Sequence, residues 1–125
     1  MNLHSLQHVT LRPRDLEATR RFYERIIGLQ VGERPPFGFP GYWLYVGKEP
    51  VLHLIGNDPP DDRLGSGAID HIAFGVTGLA KARGRLEAED IPYHEQTVPR
   101  LGLHQLFIED PDGITIELNF PADEA

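Results

Sequence analysis

Apolar and polar residues alternate in short runs along the chain, and two stretches of longer, helical rhythm interrupt them. Val9 and Leu11 alternate with His8 and Thr10, and Ile72, Phe74 and Val76 alternate with His71, Ala73 and Gly75. A two-residue period of this kind marks a strand with one buried face. After the first run, Leu16, Thr19, Phe22, Tyr23, Ile26 and Ile27 recur at helical spacing, with Asp15 placed to cap the start and Gly28 to stop the helix. After the second, Leu79, Ala82 and Leu86 mark a weaker helix, which Gly84 destabilises by roughly 1 kcal/mol relative to alanine. Three strand-like runs follow each helix: 29–31, 42–46 and 51–55 in the first half, and 92–96, 103–109 and 114–120 in the second.

The two histidine-bearing runs lie half a chain apart, and so do Leu16 and Leu79, so the chain reads as a duplication. Each half is strand–helix–strand–strand–strand. Asp110-Pro111-Asp112-Gly113 joins the last two strands of the second half as a hairpin, because proline presets one turn residue and glycine supplies positive φ. Gly47-Lys48-Glu49-Pro50 fills the same place in the first half. The segment 57–67 is rich in glycine, proline and acid, as a surface linker should be. The expected architecture is α+β: one domain over 1–125, built of tandem βαβββ modules at 4–56 and 68–120, with curved mixed sheets around a central metal-binding cavity.

Strand parity then separates the side chains by face. His8, His53, His71 and Glu117 fall on the faces opposite the helix-covered ones, together with Thr10, Trp43, Tyr45, Gln105, Phe107 and Asn119. His8 and His71 match across the repeat, and His53 matches Glu117 at the same interval within one residue. Neutral imidazoles with a carboxylate suit one divalent ion among Zn, Ni, Fe, Mn and Co. The four are therefore the expected metal set, and the six neighbours the expected substrate contacts. His4, His94 and His104 read as structural or solvent-exposed; Arg20, Arg21, Glu24 and Arg25 read as a solvated helix face. The segment 34–41, with Phe37 and Phe39 among prolines and glycines, is expected to form a pocket lid.

Composition narrows the chemistry further. The 125 residues carry 12 Lys and Arg against 19 Asp and Glu, a net charge of −7. That balance argues against a nucleic-acid or anionic-membrane partner. The absence of cysteine excludes disulfides, thiolate metal sites and cysteine nucleophiles. No apolar run approaches the ~20 residues that span a bilayer, and the first residues do not read as a secretory signal. A cytoplasmic protein with a small-molecule partner is the expectation.

Gln7-His8-Val9-Thr10-Leu11, Asp15-Leu16, Phe22-Tyr23, Gly28-Leu29, Asp70-His71-Ile72-Ala73-Phe74 and Asp110-Pro111-Asp112-Gly113-Ile114-Thr115-Ile116-Glu117 together resemble the vicinal oxygen chelate superfamily. That group includes glyoxalase I, methylmalonyl-CoA epimerase, fosfomycin- and bleomycin-resistance proteins and extradiol ring-cleaving dioxygenases. The resemblance spans positions 6–120. It implies paired βαβββ modules around a metal, frequently in a homodimer, with His8, His71 and Glu117 at metal positions. His53 stands where glyoxalase I has glutamate or glutamine and the epimerase has glutamine, so it is either a fourth ligand or an acid/base. A two-histidine, one-carboxylate set on a small substrate with vicinal oxygens first suggests an extradiol-type dioxygenase, with Trp43, Tyr45 and Phe107 walling an aromatic pocket. Glyoxalase- or epimerase-type lyase or isomerase chemistry is the alternative, and a drug- or metabolite-binding protein without turnover is the reading from another class.

Overall fold

The computed structural model describes residues 1–2, 5–56, 69, 71–98 and 103–124. The linker 57–67 and His4 lie outside the described residues. The chain divides into two compact units, Met1–Leu64 and Gly65–Ala125, and each repeats the same plan.

In the first unit, β1 (Val9–Leu11) leads to α1 (Leu16–Phe22) and then to β2 (Gln30–Gly32), β3 (Gly41–Val46) and β4 (Glu49–Ile55). The sheet order is β1-β4-β3-β2. β1 and β4 run parallel, while the other neighbours are antiparallel. A parallel pair cannot be closed by a hairpin, so α1 and the two intervening strands form the crossover. Asp15 caps α1 by accepting from the Ala18 amide at 3.0 Å, which satisfies one of the helix's orphan donors. The helix then widens into a π-helical turn over Tyr23–Ile27 and ends where Gly28 turns left-handed at φ 93°, with its amide donating to the Tyr23 carbonyl. Thr19, Phe22 and Tyr23 on this helical segment are buried, as are Leu44, Leu52 and Leu54 on the sheet.

The second unit runs β5 (His71–Gly75), α2 (Leu79–Ala88), β6 (His94–Val98), β7 (Leu103–Glu109) and β8 (Thr115–Pro121), ending in a short 3-10 turn at Ala122–Glu124. Its sheet order is β5-β8-β7-β6, again with one parallel pair, β5 with β8. Leu79 and Leu86 of α2 and Leu106, Ile116 and Phe120 of the sheet form its buried layer. α2 begins at Gly78 without a side-chain cap. What its sequence lacks in helical strength it recovers through Arg83, whose guanidinium grips both oxygens of Glu95 on β6, at 2.7 and 2.8 Å. Buried His104 on β7 contacts the same carboxylate at 2.9 Å. The Asp110–Gly113 turn forms as expected: the Asp110 carboxylate accepts from the Asp112 and Ile114 amides, and Gly113 sits at φ 85°.

Both modules therefore follow the βαβββ order expected from the pattern. The helix-facing parity holds as well: Leu52, Leu54, Ile116 and Leu118 are buried, while His53, Glu117 and Asn119 are only partly so. Arg20 pairs with Glu17 and Glu24 along α1, the solvated face expected there. His8 differs from expectation in lying just before β1, not near the middle of a strand. The parallel ladder begins with Val9 opposite Leu52, so His8 stands one residue outside it and is exposed.

Candidate functional site

The first unit gathers its candidate residues into a column of rings. Thr10, His53, Trp43 and Gly32 lie in one register row across β1, β4, β3 and β2. Trp43 stacks on His53 with ring centroids 4.1 Å apart, and His53 stacks in turn on His8 at 3.9 Å with the planes 11° apart. Nε2 of His53 lies 3.1 Å from the Pro50 carbonyl. A carbonyl only accepts, so this nitrogen carries the proton and Nδ1 holds the lone pair. Burial, followed by the neighbouring His8 charge, lowers the His53 pKa below 6.5, against the opposing pull of the Pro50 hydrogen bond.

Trp43 and Tyr45 line a recess of about 460 Å³ with Glu33, Arg34 and Pro35. Tyr45 is already engaged, donating its hydroxyl to the Glu33 carbonyl at 2.6 Å. In the proposed lid, Phe37 and Phe39 are stacked with centroids 5.1 Å apart. The Arg34 guanidinium lies 5.0 Å from each ring and donates to the Phe39 carbonyl at 2.9 Å. Phe37 also reaches toward Trp43, at 6.3 Å.

In the second unit, register sets His71, Thr115 and Glu109 in one row, Ala73, Glu117, Phe107 and His94 in the next, and Gly75, Asn119, Gln105 and Gln96 in a third. His71 Nε2 lies 3.6 Å from Glu117 Oε1. The other carboxylate oxygen accepts from Asn119 Nδ2 at 2.8 Å. Beside this pair is an open cleft of about 690 Å³, lined among others by Tyr93, His94, Phe107, Glu109 and Thr115.

Donor spacing decides how these groups fit a divalent ion. Two donors bound to one tetrahedral zinc at ~2.0–2.1 Å stand about 3.3 Å apart, so His71 and Glu117 are close to ligand spacing as they lie. The stacked pair is different. A metal lies in the plane of each imidazole that binds it, and two nearly parallel rings 3.9 Å apart have no such common point. His53 is held by Trp43 and Pro50, whereas His8 is exposed and outside the ladder, so it is the ring that would turn. Among the described residues, no single group of three or more His, Cys, Asp or Glu side chains forms a metal site; each unit carries one pair. The donor chemistry fits a divalent ion, with His8 needing to leave the stack.

Two residues outside the expected site set lie close to it. His94, expected to be structural or exposed, is indeed exposed on an edge strand, but it shares a row and a cleft with Phe107, at 6.2 Å. Gln96 hydrogen-bonds to Gln105. The alternation of β6 puts His94 and Gln96 on one face; what was missing was the pairing of β6 with β7, which is a non-local choice.

The two units thus share one βαβββ plan, the first bringing together a pair of imidazoles and the second an imidazole with a carboxylate. The chain belongs to the Glyoxalase/Bleomycin resistance protein/Dioxygenase superfamily, whose profile matches residues 5–118. It is 31% identical over 125 residues to "Glyoxylase I 4" of Arabidopsis thaliana, covering 94% of this chain and 71% of that protein. It is also 31% identical to the lactoylglutathione lyase of Salmonella typhimurium, covering 90% of each, and 29% identical to the mitochondrial methylmalonyl-CoA epimerase of Bos taurus, covering 94% of this chain and 74% of that one. Among solved structures, a glyoxylase/bleomycin resistance protein/dioxygenase domain from Frankia superposes with a TM-score of 0.79 at 21% identity, covering 96% and 93% of the two chains. No helix among the described residues is long and apolar enough to cross a membrane.

Proposed function

We propose that this protein is a metal-dependent lyase or isomerase of glyoxalase or epimerase type, acting on a small substrate that presents two neighbouring oxygens. The observation that carries the reading is the His71–Glu117 pair, two donors 3.6 Å apart on adjacent strands. The lyase and epimerase names of the sequence relatives support proton-transfer chemistry over the ring cleavage first suggested by the ligand set. His8, His71 and Glu117 would hold the ion, with His53 as fourth ligand or as acid/base. When bound, a divalent ion of this kind acts as a Lewis acid on a carbonyl oxygen and acidifies the adjacent C–H.

The chain's own residues supply the remaining parts. With Nε2–H held by Pro50, His53 offers Nδ1 as the atom that takes and returns a proton, and Trp43 keeps its plane fixed. The part of the substrate beyond the chelating oxygens would lie on Phe107 in the second unit's cleft, with the His94 imidazole and Thr115 hydroxyl as hydrogen-bonding groups. Thr10, Trp43 and Tyr45 are the proposed substrate contacts on the first unit's own sheet face. A homodimer is the proposed assembly, to be checked by sedimentation velocity.

The test is metal analysis of gently purified protein beside Glu117→Ala, followed by turnover in D₂O. Bound metal lost in the variant, with deuterium incorporated next to the carbonyl of the methylglyoxal–glutathione adduct or of methylmalonyl-CoA, supports the reading. Oxygen consumption with catechols would replace it by the dioxygenase. Ligand capture that survives metal stripping, without turnover, would replace it by a binding protein.

A further inference from the structure

Three side-chain amides lead in single file to the carboxylate of Glu117. Gln96 on β6, Gln105 on β7 and Asn119 on β8 form one register row across the second sheet. Gln96 Nε2 donates to Gln105 Oε1 at 2.7 Å, Gln105 Nε2 donates to Asn119 Oδ1 at 2.9 Å, and Asn119 Nδ2 donates to Glu117 Oε2 at 2.8 Å. All three links run in the same sense. An amide carries its donor and its acceptor on separate branches, so the orientation of each member dictates that of the next. Gln105, in the middle, is 7% exposed, which leaves it little access to water as a substitute partner.

We propose that this row is a polarised relay that positions Glu117 as a one-oxygen ligand. Its end engages Oε2, and Oε1, the oxygen that faces His71 Nε2 at 3.6 Å, is left to meet the cation. Gln105 and Asn119, expected from the sequence to touch substrate, thereby become positioning residues, joined by Gln96 at the sheet edge. The inference rests on the metal reading of His71 and Glu117 given above. Partners that orient a ligating group commonly change metal affinity by about 10- to 100-fold when altered.

Gln96→Glu is the informative substitution, because it is nearly isosteric at an exposed position and reverses the relay. A carboxylate at position 96 cannot donate to Gln105. It accepts from Nε2 instead, so Gln105 turns over and offers its carbonyl to Asn119, which turns over and offers its own carbonyl to Glu117. Simple charge predicts the opposite effect, since an added carboxylate on the same face attracts a cation more strongly. The sign of the change therefore separates the two.

Zn²⁺ binding to the full chain would be measured by calorimetry for wild type, Gln96→Glu, Gln96→Met and Glu117→Gln, with melting curves to confirm folding. The relay is expected to weaken Zn²⁺ binding about tenfold in Gln96→Glu and less in Gln96→Met, which breaks the row without reversing it. In the metal-free protein, the Gln105 and Asn119 side-chain amide resonances should both shift in Gln96→Glu. Equal or tighter binding in Gln96→Glu, with affinity still lost in Glu117→Gln, overturns the relay and leaves the metal site standing. Unchanged affinity in Glu117→Gln overturns both.

Discussion

The indole of Trp43 lies face to face with the imidazole of His53, their centroids 4.1 Å apart and their planes within 10°. Trp43 is the chain's one tryptophan, so its emission reports the state of this stack. Burial and the adjacent His8 lower the His53 pKa, so the ring stays neutral until the pH falls below 6.5, and protonation then places a cation against the indole. Acidification should therefore quench Trp43 emission in a step with its midpoint under 6.5. His53→Gln should remove that step; a midpoint at or above 6.5 in the wild type would contradict the assigned environment.

Glu95 provides a second pH-dependent observable. Hydrogen bonds from Arg83 and then His104, with the charges behind them, pull its pKa from 4.5 to about 2 against the desolvation that opposes them. A depressed carboxylate contributes stability that is present above its unfolded value and lost as pH falls through the folded one. Glu95→Gln should accordingly lower the melting temperature at neutral pH. The gap to wild type should narrow between pH 4.5 and about 2 and vanish below that range. A constant gap across this interval would show that the α2–β6 tie is not ionic.

Gly41 is required by close packing. A Cβ there would stand 2.3 Å from the Leu54 carbonyl oxygen on β4 and 2.9 Å from Arg34, and the nearer contact is backbone that cannot yield without bending the ladder. Gly41→Ala should cost on the order of 2 kcal/mol, read from chemical denaturation. Gly38, where an added Cβ meets nothing within 4 Å, provides the control, and Gly38→Ala should be close to neutral.

The Arg34–Phe37–Phe39 cluster tests the lid. Each ring of the stacked pair lies 5.0 Å from the guanidinium, and Phe37 and Phe39 are 44% and 43% exposed, so replacing both by alanine should spare the fold while dissolving the cluster. If segment 34–41 covers the substrate, the double variant should change the ratio of kcat/KM between small and bulky substrates by several-fold. An unchanged ratio would make it an inert surface loop.

Much of this protein was legible from local pattern. Strand parity separated Leu52, Leu54, Ile116 and Leu118 from His53, Glu117 and Asn119, because alternation is a property of the strand itself. Asp15 and Gly28 marked the ends of the first helical segment for equally local reasons, a side-chain cap and a left-handed turn. The Asp110–Gly113 hairpin followed from turn chemistry alone, and the repeat exposed the duplication.

Pairing belonged to the tertiary structure. Which strand lies beside which, and in what register, put His94 next to Phe107, lined Gln96, Gln105 and Asn119 up behind Glu117, and set Arg83 of a weak helix against Glu95 and His104. It also left His8 one residue outside its ladder and stacked it on His53. The elements, their order and the face each side chain takes are written locally in the chain, since they depend on neighbours a few residues away. The folded sheets set which polar groups meet, because apart from the Asn119–Glu117 contact within β8 these hydrogen bonds and ring stacks are made across strands.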